Sequence, residues 1–91
     1  MNAVENDVRA LVDKELAAAN ERFPQFHSQH EGYAVIQEEV DELKEDMDRI
    51  NGRIPSLRAR VRFNNSCEEI VLRIYDDAVN AACEAVQVAA M

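Results

Sequence analysis

The placement of helix-breaking residues constrains this chain more than any other feature. Glycine and proline occur only twice each in 91 residues, at Pro24, Gly32, Gly52 and Pro55. They divide the sequence into three stretches, and in each the apolar residues recur at spacings of three and four, the period of an amphipathic helix. The sequence therefore predicts an all-α fold with helices over about 2–22, 29–50 and 66–91.

The second predicted helix has the clearest signals. It starts after Ser28, because Ser28 and Glu31 have the S-x-x-E spacing of a capping box, and we expect it to end near Asn51-Gly52. Between these points the apolar residues follow one heptad seam. The seam consists of Tyr33, Ile36, Val40, Leu43, Met47 and Ile50. A seam of this kind packs against another helix.

The third predicted helix has a broader apolar surface. It follows a second S-x-x-E box that begins at Ser66, whereas the first helix ends before Pro24. Two adjacent apolar rows run along the third helix. They consist of Val71, Ile74, Ala78, Ala81, Ala85 and Val88, and of Tyr75, Val79, Ala82 and Val86. Together the rows cover more than half of the circumference, so this helix needs packing partners on more than one side.

The small size of the chain limits the core that one copy can bury. A domain of this length buries only about 60–65% of its unfolded surface. Hydrophobic residues make up 47% of the chain but aromatic residues only 5%, so the helices offer broad, shallow apolar surfaces. Such surfaces suit helix packing between subunits. We therefore expect an antiparallel helical bundle completed by a homodimer or homotetramer.

The charge balance excludes several classes of partner. The formal net charge is -8, which repels nucleic-acid polymers and anionic lipid. No apolar run approaches the roughly 20 residues that span a bilayer, and Glu5 and Asp7 stand where a signal peptide carries positive charge. The sequence predicts a cytoplasmic protein without nucleic-acid or membrane partners, in which Cys67 and Cys83 are free thiols.

An acidic group lies on the second predicted helix. At about 100° per residue, Glu39, Glu42 and Asp46 fall on one strip, and Glu38 stands beside Glu42. Like charges at these spacings destabilise a helix, so the group is favourable where a cation neutralises it. Carboxylate oxygens suit Mg²⁺ or Mn²⁺. The alternative is a solvated or partner-binding acidic face, which is common on helices.

Two stretches carry a family resemblance. FHSQHEGYAVIQEEVDEL, at 26–43, resembles the metal-binding helix of MazG-like proteins, especially small phage-type members, whose motif is EExxE. EAVQVAAM, at 84–91, resembles their later ExxD helix. The stretches cover about 30% of the chain. This family comprises all-α nucleoside triphosphate pyrophosphohydrolases, so the resemblance implies that fold and Mg²⁺-dependent release of nucleoside monophosphate and pyrophosphate from a nucleoside triphosphate.

The resemblance also implies roles for single residues. Glu38, Glu39 and Glu42 match the EExxE acids and would be catalytic, and the metal, lying between the two helices, would be bound by Glu39, Glu42, Glu84 and Gln87. Gln87 stands where the family has Asp, and its amide oxygen can coordinate a cation but adds no charge. About forty residues separate the motifs, more than is usual for the family. The alternative is a catalytically degenerate member that acts as a helical nucleotide-binding or protein-interaction module.

Arginines are concentrated between the second and third predicted helices, at Arg53, Arg58, Arg60 and Arg62. Guanidinium groups bind phosphates bidentately, so Arg58, Arg60 and Arg62 are candidate substrate-binding residues on a basic loop over the acidic group. Charge compensation across a subunit contact is the alternative. The alternation of residues over 57–63 also has the period of a short strand, which would make this segment an ordered arm.

Two smaller sets complete the candidates. His27 and His30 have H-x-x-H spacing, but they lie around the start of a helix rather than along one face, which favours capping or surface roles over metal binding. Asp77, Asn80 and Glu84 share one face of the third predicted helix, so another acid there can compensate for the missing family Asp.

Overall fold

The computed structural model describes residues 4–22 and 28–91, and for 20–22 the backbone alone. The described residues form three helices, α1 (Glu5–Arg22), α2 (Gln29–Arg62) and α3 (Glu68–Ala89), and no strand. The predicted all-α fold is confirmed. None of these helices is long and apolar enough to cross a membrane.

The start of α2 follows the predicted capping chemistry. Ser28 has extended backbone, and its hydroxyl accepts a hydrogen bond from the backbone N–H of Glu31 at 3.1 Å. This bond satisfies one of the amides that a helix start leaves without an intrahelical partner. The start at Gln29 therefore agrees with the prediction.

The predicted end of this helix near residue 50 is wrong, because α2 is 34 residues long and ends at Arg62. Gly52 has no positive φ, and a Cβ added there would meet nothing within 4 Å, so it is an ordinary exposed helical residue. Pro55 removes one helical hydrogen bond without ending the helix. The segment proposed as a loop or strand is thus helical up to Arg62, and its contacts with α3 offset the poor local propensity.

The true end of α2 is formed by asparagine rather than glycine. Asn64 has a left-handed φ of 54°, a conformation that asparagine tolerates better than most residues. The N–H of Asn64 donates to the carbonyl of Val61 at 3.2 Å, and the N–H of Asn65 donates to that of Arg60 at 2.8 Å. These are the paired bonds of a Schellman motif, which satisfy the last carbonyls of the helix.

The start of α3 differs in detail from the predicted capping box. The helix begins at Glu68 after Cys67, whose side chain makes no capping bond. The hydroxyl of Ser66 accepts from the N–H of Glu68 at 3.3 Å instead of from Glu69. The serine therefore lies one residue before the cap position, and the helix starts two residues later than predicted.

α2 and α3 pack antiparallel, while α1 contacts α3 and not α2 within the described part of the chain. The face of α2 that meets α3 carries a row of polar residues beside the half-buried Leu43, Ile50 and Leu57. The polar residues recur every seven positions and are Glu39, Asp46, Arg53 and Arg60. Arg60 donates to the carbonyl of Ser66, and Arg53 to Asp77 further along α3. We call this row the polar seam.

The apolar heptad seam of α2 is largely uncovered. Tyr33 is 70% exposed, Met47 47% and Val40 40%. In the described residues the buried hydrophobic side chains are only Ile70, Ala81 and Ala90. On α3 the second apolar row is also exposed, including Tyr75 and Val79. One copy of the chain therefore leaves most of its predicted packing surface in water.

Candidate functional site

Three glutamates meet where the beginning of α2 lies against the end of α3. Glu39 and Glu42 lie one helical turn apart on α2, and Glu84 lies opposite them on α3. One carboxylate oxygen from each residue lies within 4.8 Å of the others. Antiparallel packing brings together groups that are more than forty residues apart in sequence. We call these three residues the acidic triad.

Gln87 lies against the acidic triad one turn after Glu84. With its amide oriented to donate, the side-chain nitrogen of Gln87 is 3.0 Å from Glu39 Oε2 and 3.0 Å from Glu84 Oε2. The amide thus bridges the two helices. It satisfies two carboxylates with N–H donors, although it cannot neutralise their charge.

The triad perturbs its own protonation. A hydrogen bond with Glu84 raises the pKa of Glu42 above its ordinary value, and the negative charges of Glu84 and Glu38 act in the same direction. Partial burial raises the pKa of Glu84, and the charges of Glu39 and Asp46 raise it further, whereas the hydrogen bond to Glu42 opposes the shift. The close approach of these carboxylates therefore makes the protonated form of Glu42 and of Glu84 easier to form than in an isolated glutamate.

Two other acids on α2 have different surroundings. Glu38 is exposed and lies outside the triad, although its charge influences Glu42. Asp46 is buried, with 6% exposure, and accepts a hydrogen bond from Arg49 Nη1 at 2.6 Å. The strip predicted for Glu39, Glu42 and Asp46 therefore exists, but Asp46 is already paired on its own helix.

Asp77 does not supply the missing acid beside Gln87. It is buried, with 7% exposure, and accepts from Arg53 Nε at 2.5 Å across the helix interface. It also lies seven residues from Glu84, about 10 Å along α3, while Asn80 is exposed. Sequence reasoning missed the Arg53–Asp77 pair. The sequence signal for this pair was only that an arginine and an aspartate lie on segments that were expected to pack together.

The three candidate substrate-binding arginines do not gather at the triad. Arg60 lies on the polar seam, whereas Arg58 and Arg62 lie one turn apart on another side of α2. Arg60 is eighteen residues from Glu42, which corresponds to about 27 Å along the helix. Within one chain, these arginines therefore lie too far away to bind a phosphate held at the triad.

Among the described residues, no histidine or cysteine joins the triad. His30 is exposed, and His27 lies outside the described residues. Cys67 and Cys83 are free thiols, as predicted.

The oxygen donors of the acidic triad and of Gln87 suit a hard divalent cation. Three carboxylates and one amide offer only oxygen ligands, provided that the Gln87 amide rotates to present its oxygen. Oxygens bound to one Mg²⁺ lie at most about 4.2 Å apart, so the 4.8 Å spread of the triad requires a small inward movement of the side chains. The chain matches no family model, no curated protein and no solved structure.

Proposed function

We propose that the protein is a Mg²⁺-dependent nucleoside triphosphate pyrophosphohydrolase of the MazG-like type, with Mn²⁺ as an alternative metal. The observation that supports this proposal is the meeting of Glu39, Glu42 and Glu84. The resemblance pairs the first two with an EExxE motif and the third with a later motif on another helix. In the fold, one carboxylate oxygen from each of these three residues lies within 4.8 Å of the others.

The acidic triad and two neighbouring residues, Gln87 and Glu38, each have a role in this proposal. Glu39, Glu42 and Glu84 hold the cation, which when bound polarises phosphate oxygens and lowers the pKa of water. The Gln87 amide would turn by half a turn, so that its carbonyl oxygen rather than its N–H donors faces the cation. Glu38, which is exposed one turn before Glu42, would orient the attacking water. Glu42 and Glu84 bind metal as carboxylates and their pKa values are raised, so metal affinity should rise as the pH rises through those values.

Assembly of two or four copies is part of the same proposal. The uncovered apolar seam of α2 supports it, since Tyr33, Val40 and Met47 are each at least 40% exposed. Arg58 and Arg62 lie eight and twelve residues after Ile50, the last residue of that seam. An antiparallel pair of α2 helices in a register centred near Ile50 would bring Arg58 and Arg62 of one copy level with Glu42 and Glu38 of the other. Substrate binding by the arginines is therefore proposed to occur between subunits.

We also propose that the protein is cytoplasmic. Cys67 and Cys83 are free thiols, and a reducing compartment preserves such thiols.

A second candidate is a degenerate member that binds nucleotides or a protein partner without turnover. Gln87 supports it. The amide donates to both Glu39 and Glu84, so the triad has hydrogen-bond partners in the absence of a cation. A site of this kind loses one formal negative charge relative to a carboxylate and binds metal more weakly.

Pyrophosphate release from a panel of ribo- and deoxynucleoside triphosphates, with Mg²⁺ or Mn²⁺, tests the proposal. Glu39→Gln removes one triad charge with little change of shape, and Asp48→Asn makes the same charge change at an exposed position of α2. We expect turnover in the wild type and in Asp48→Asn, and at least a hundredfold loss, about 2.7 kcal/mol, in Glu39→Gln.

Two results would count against catalysis. Nucleotide binding without turnover in the folded wild type would favour the degenerate alternative, and gain of turnover in Gln87→Asp would identify the amide as the cause. Equal turnover in wild type and Glu39→Gln would reject the triad as the catalytic site.

A further inference from the structure

A basic groove lies at the opposite end of the α2–α3 pair from the acidic triad. It has a volume of about 310 Å³ and contains three arginines and one acid. Its lining residues are Arg53, Ser56, Arg60, Glu69, Ile70 and Arg73. Five of these six residues are polar or charged, in a protein whose net charge is -8. This local excess of positive charge is the reverse of the charge of the whole chain.

The two helices aim the arginines into the groove from both sides. Arg53, Ser56 and Arg60 lie at i, i+3 and i+7 on α2 and therefore share one face. Arg73 faces them from α3, one turn after Glu69. Ile70 is 7% exposed and forms the apolar floor. An apolar floor strengthens electrostatic attraction above it, because it excludes water.

Each arginine is anchored by one nitrogen and keeps further donors. Arg53 uses Nε for Asp77, Arg60 uses Nη1 for the carbonyl of Ser66, and Arg73 uses Nη2 for Glu69. A guanidinium has five N–H donors, so most of them remain for a ligand. The partner of Arg60 is neutral, so its charge is uncompensated by that contact. Anchoring also fixes the side chains before a ligand arrives.

We propose that this groove binds a small phosphate-class oxyanion. Arginine pairs with phosphate through parallel N–H donors, and three guanidinium groups converge here with a serine hydroxyl. The volume lies at the lower end of the roughly 300–1,000 Å³ range of ligand sites, which suits inorganic phosphate, pyrophosphate or one phosphate group of a larger molecule.

This site is separate from the acidic triad. Arg53, the arginine of the groove nearest to the triad along α2, lies eleven residues after Glu42, about 16 Å along the helix. The phosphate site therefore does not depend on the proposed hydrolysis, and it can be tested in metal-free protein.

Nuclear magnetic resonance of the arginine Nε–Hε groups tests the site in the full chain. Metal-free protein is titrated with inorganic phosphate, pyrophosphate and glycerol phosphate, each against chloride at equal ionic strength. We expect saturable shifts at Arg53, Arg60 and Arg73 with the phosphates and none with chloride. Tightest binding of glycerol phosphate would assign the site to a phosphate group of a larger molecule, whereas tightest binding of a free anion would assign it to that anion.

Three variants separate the groove from general charge attraction. Arg60→Gln should weaken phosphate binding by about tenfold, while Lys44→Gln, which removes the same charge at an exposed position of α2, should change it less than twofold. Glu69→Gln should strengthen binding several-fold, because it removes the acid and releases Arg73. Loss of fold cannot produce that gain. Non-saturating shifts shared with chloride, or equal weakening in Arg60→Gln and Lys44→Gln, would overturn the proposal.

Discussion

The two ends of the α2–α3 pair use the same helix face in opposite ways. At one end Glu39, Glu42 and Glu84 bring like charges within 4.8 Å. At the middle and the other end, Arg53 and Arg60 bond to an aspartate and a carbonyl of α3. Arg53 has its own counter-charge in Asp77, so this pair contributes to stability. The acidic end requires a proton, an amide or a cation, which is the property expected of a binding site.

The largest expected effect is at the Arg53–Asp77 pair. Arg53→Ala leaves Asp77, 7% exposed, without its partner, and should lower the free energy of unfolding by about 2–3 kcal/mol. Urea unfolding followed by circular dichroism measures this loss. Arg73→Ala is the control, because its pair with Glu69 is solvent-exposed and should be worth less than about 1 kcal/mol. Equal effects of the two variants would remove the structural distinction between these pairs.

A smaller effect of opposite sign is expected at the acidic end. Glu42→Gln relieves repulsion within the triad, so the metal-free protein should melt at a higher temperature than the wild type at pH 7. The same variant should lose the stabilisation that Mg²⁺ gives the wild type. Thermal melts with and without Mg²⁺ measure both. A wild type that is insensitive to Mg²⁺ would indicate a solvated acidic face.

The smallest expected effect is the pH dependence of the metal-free protein. The pKa values of Glu42 and Glu84 are raised from 4.5, so the folded state binds protons more tightly than the unfolded state. Their contribution to stability is present below pH 4.5 and is lost as the pH rises through the raised values. Unfolding measured from pH 4.5 to 8 should show this fall, and Glu84→Gln should flatten it. A slope unchanged in that variant would assign the pH dependence to other groups.

Local chemistry explains what the sequence predicts well. The Ser28 cap, the start of α2 and the presence of three helices depend on residues close to each other in sequence. The meeting of Glu39, Glu42 and Glu84 was expected from paired motifs rather than from periodicity, and the fold brings these residues together. The end of α2 was missed because Asn51-Gly52 is a strong local breaker, whereas the contacts with α3 that keep 51–62 helical are long-range.

Long-range packing explains the rest. Periodicity identifies an apolar seam on α2 but cannot tell which neighbour covers it. In the fold the polar seam faces α3, and Met47 on the apolar seam stays 47% exposed. The Arg53–Asp77 bond spans 24 residues and two helices, so no local pattern specifies it. Arg58, Arg60 and Arg62 lie far from the triad because α2 continues past Asn51-Gly52 to Arg62.

Titration of Mn²⁺ into metal-free protein, followed by calorimetry, tests most directly whether the acidic triad is a metal site. We predict one saturable site per chain, weakened about tenfold or more by Glu84→Gln and unchanged by Glu68→Gln, an exposed acid at the far end of α3. Absence of saturable binding, or equal weakening by both variants, would contradict the metal site and with it the proposed hydrolysis.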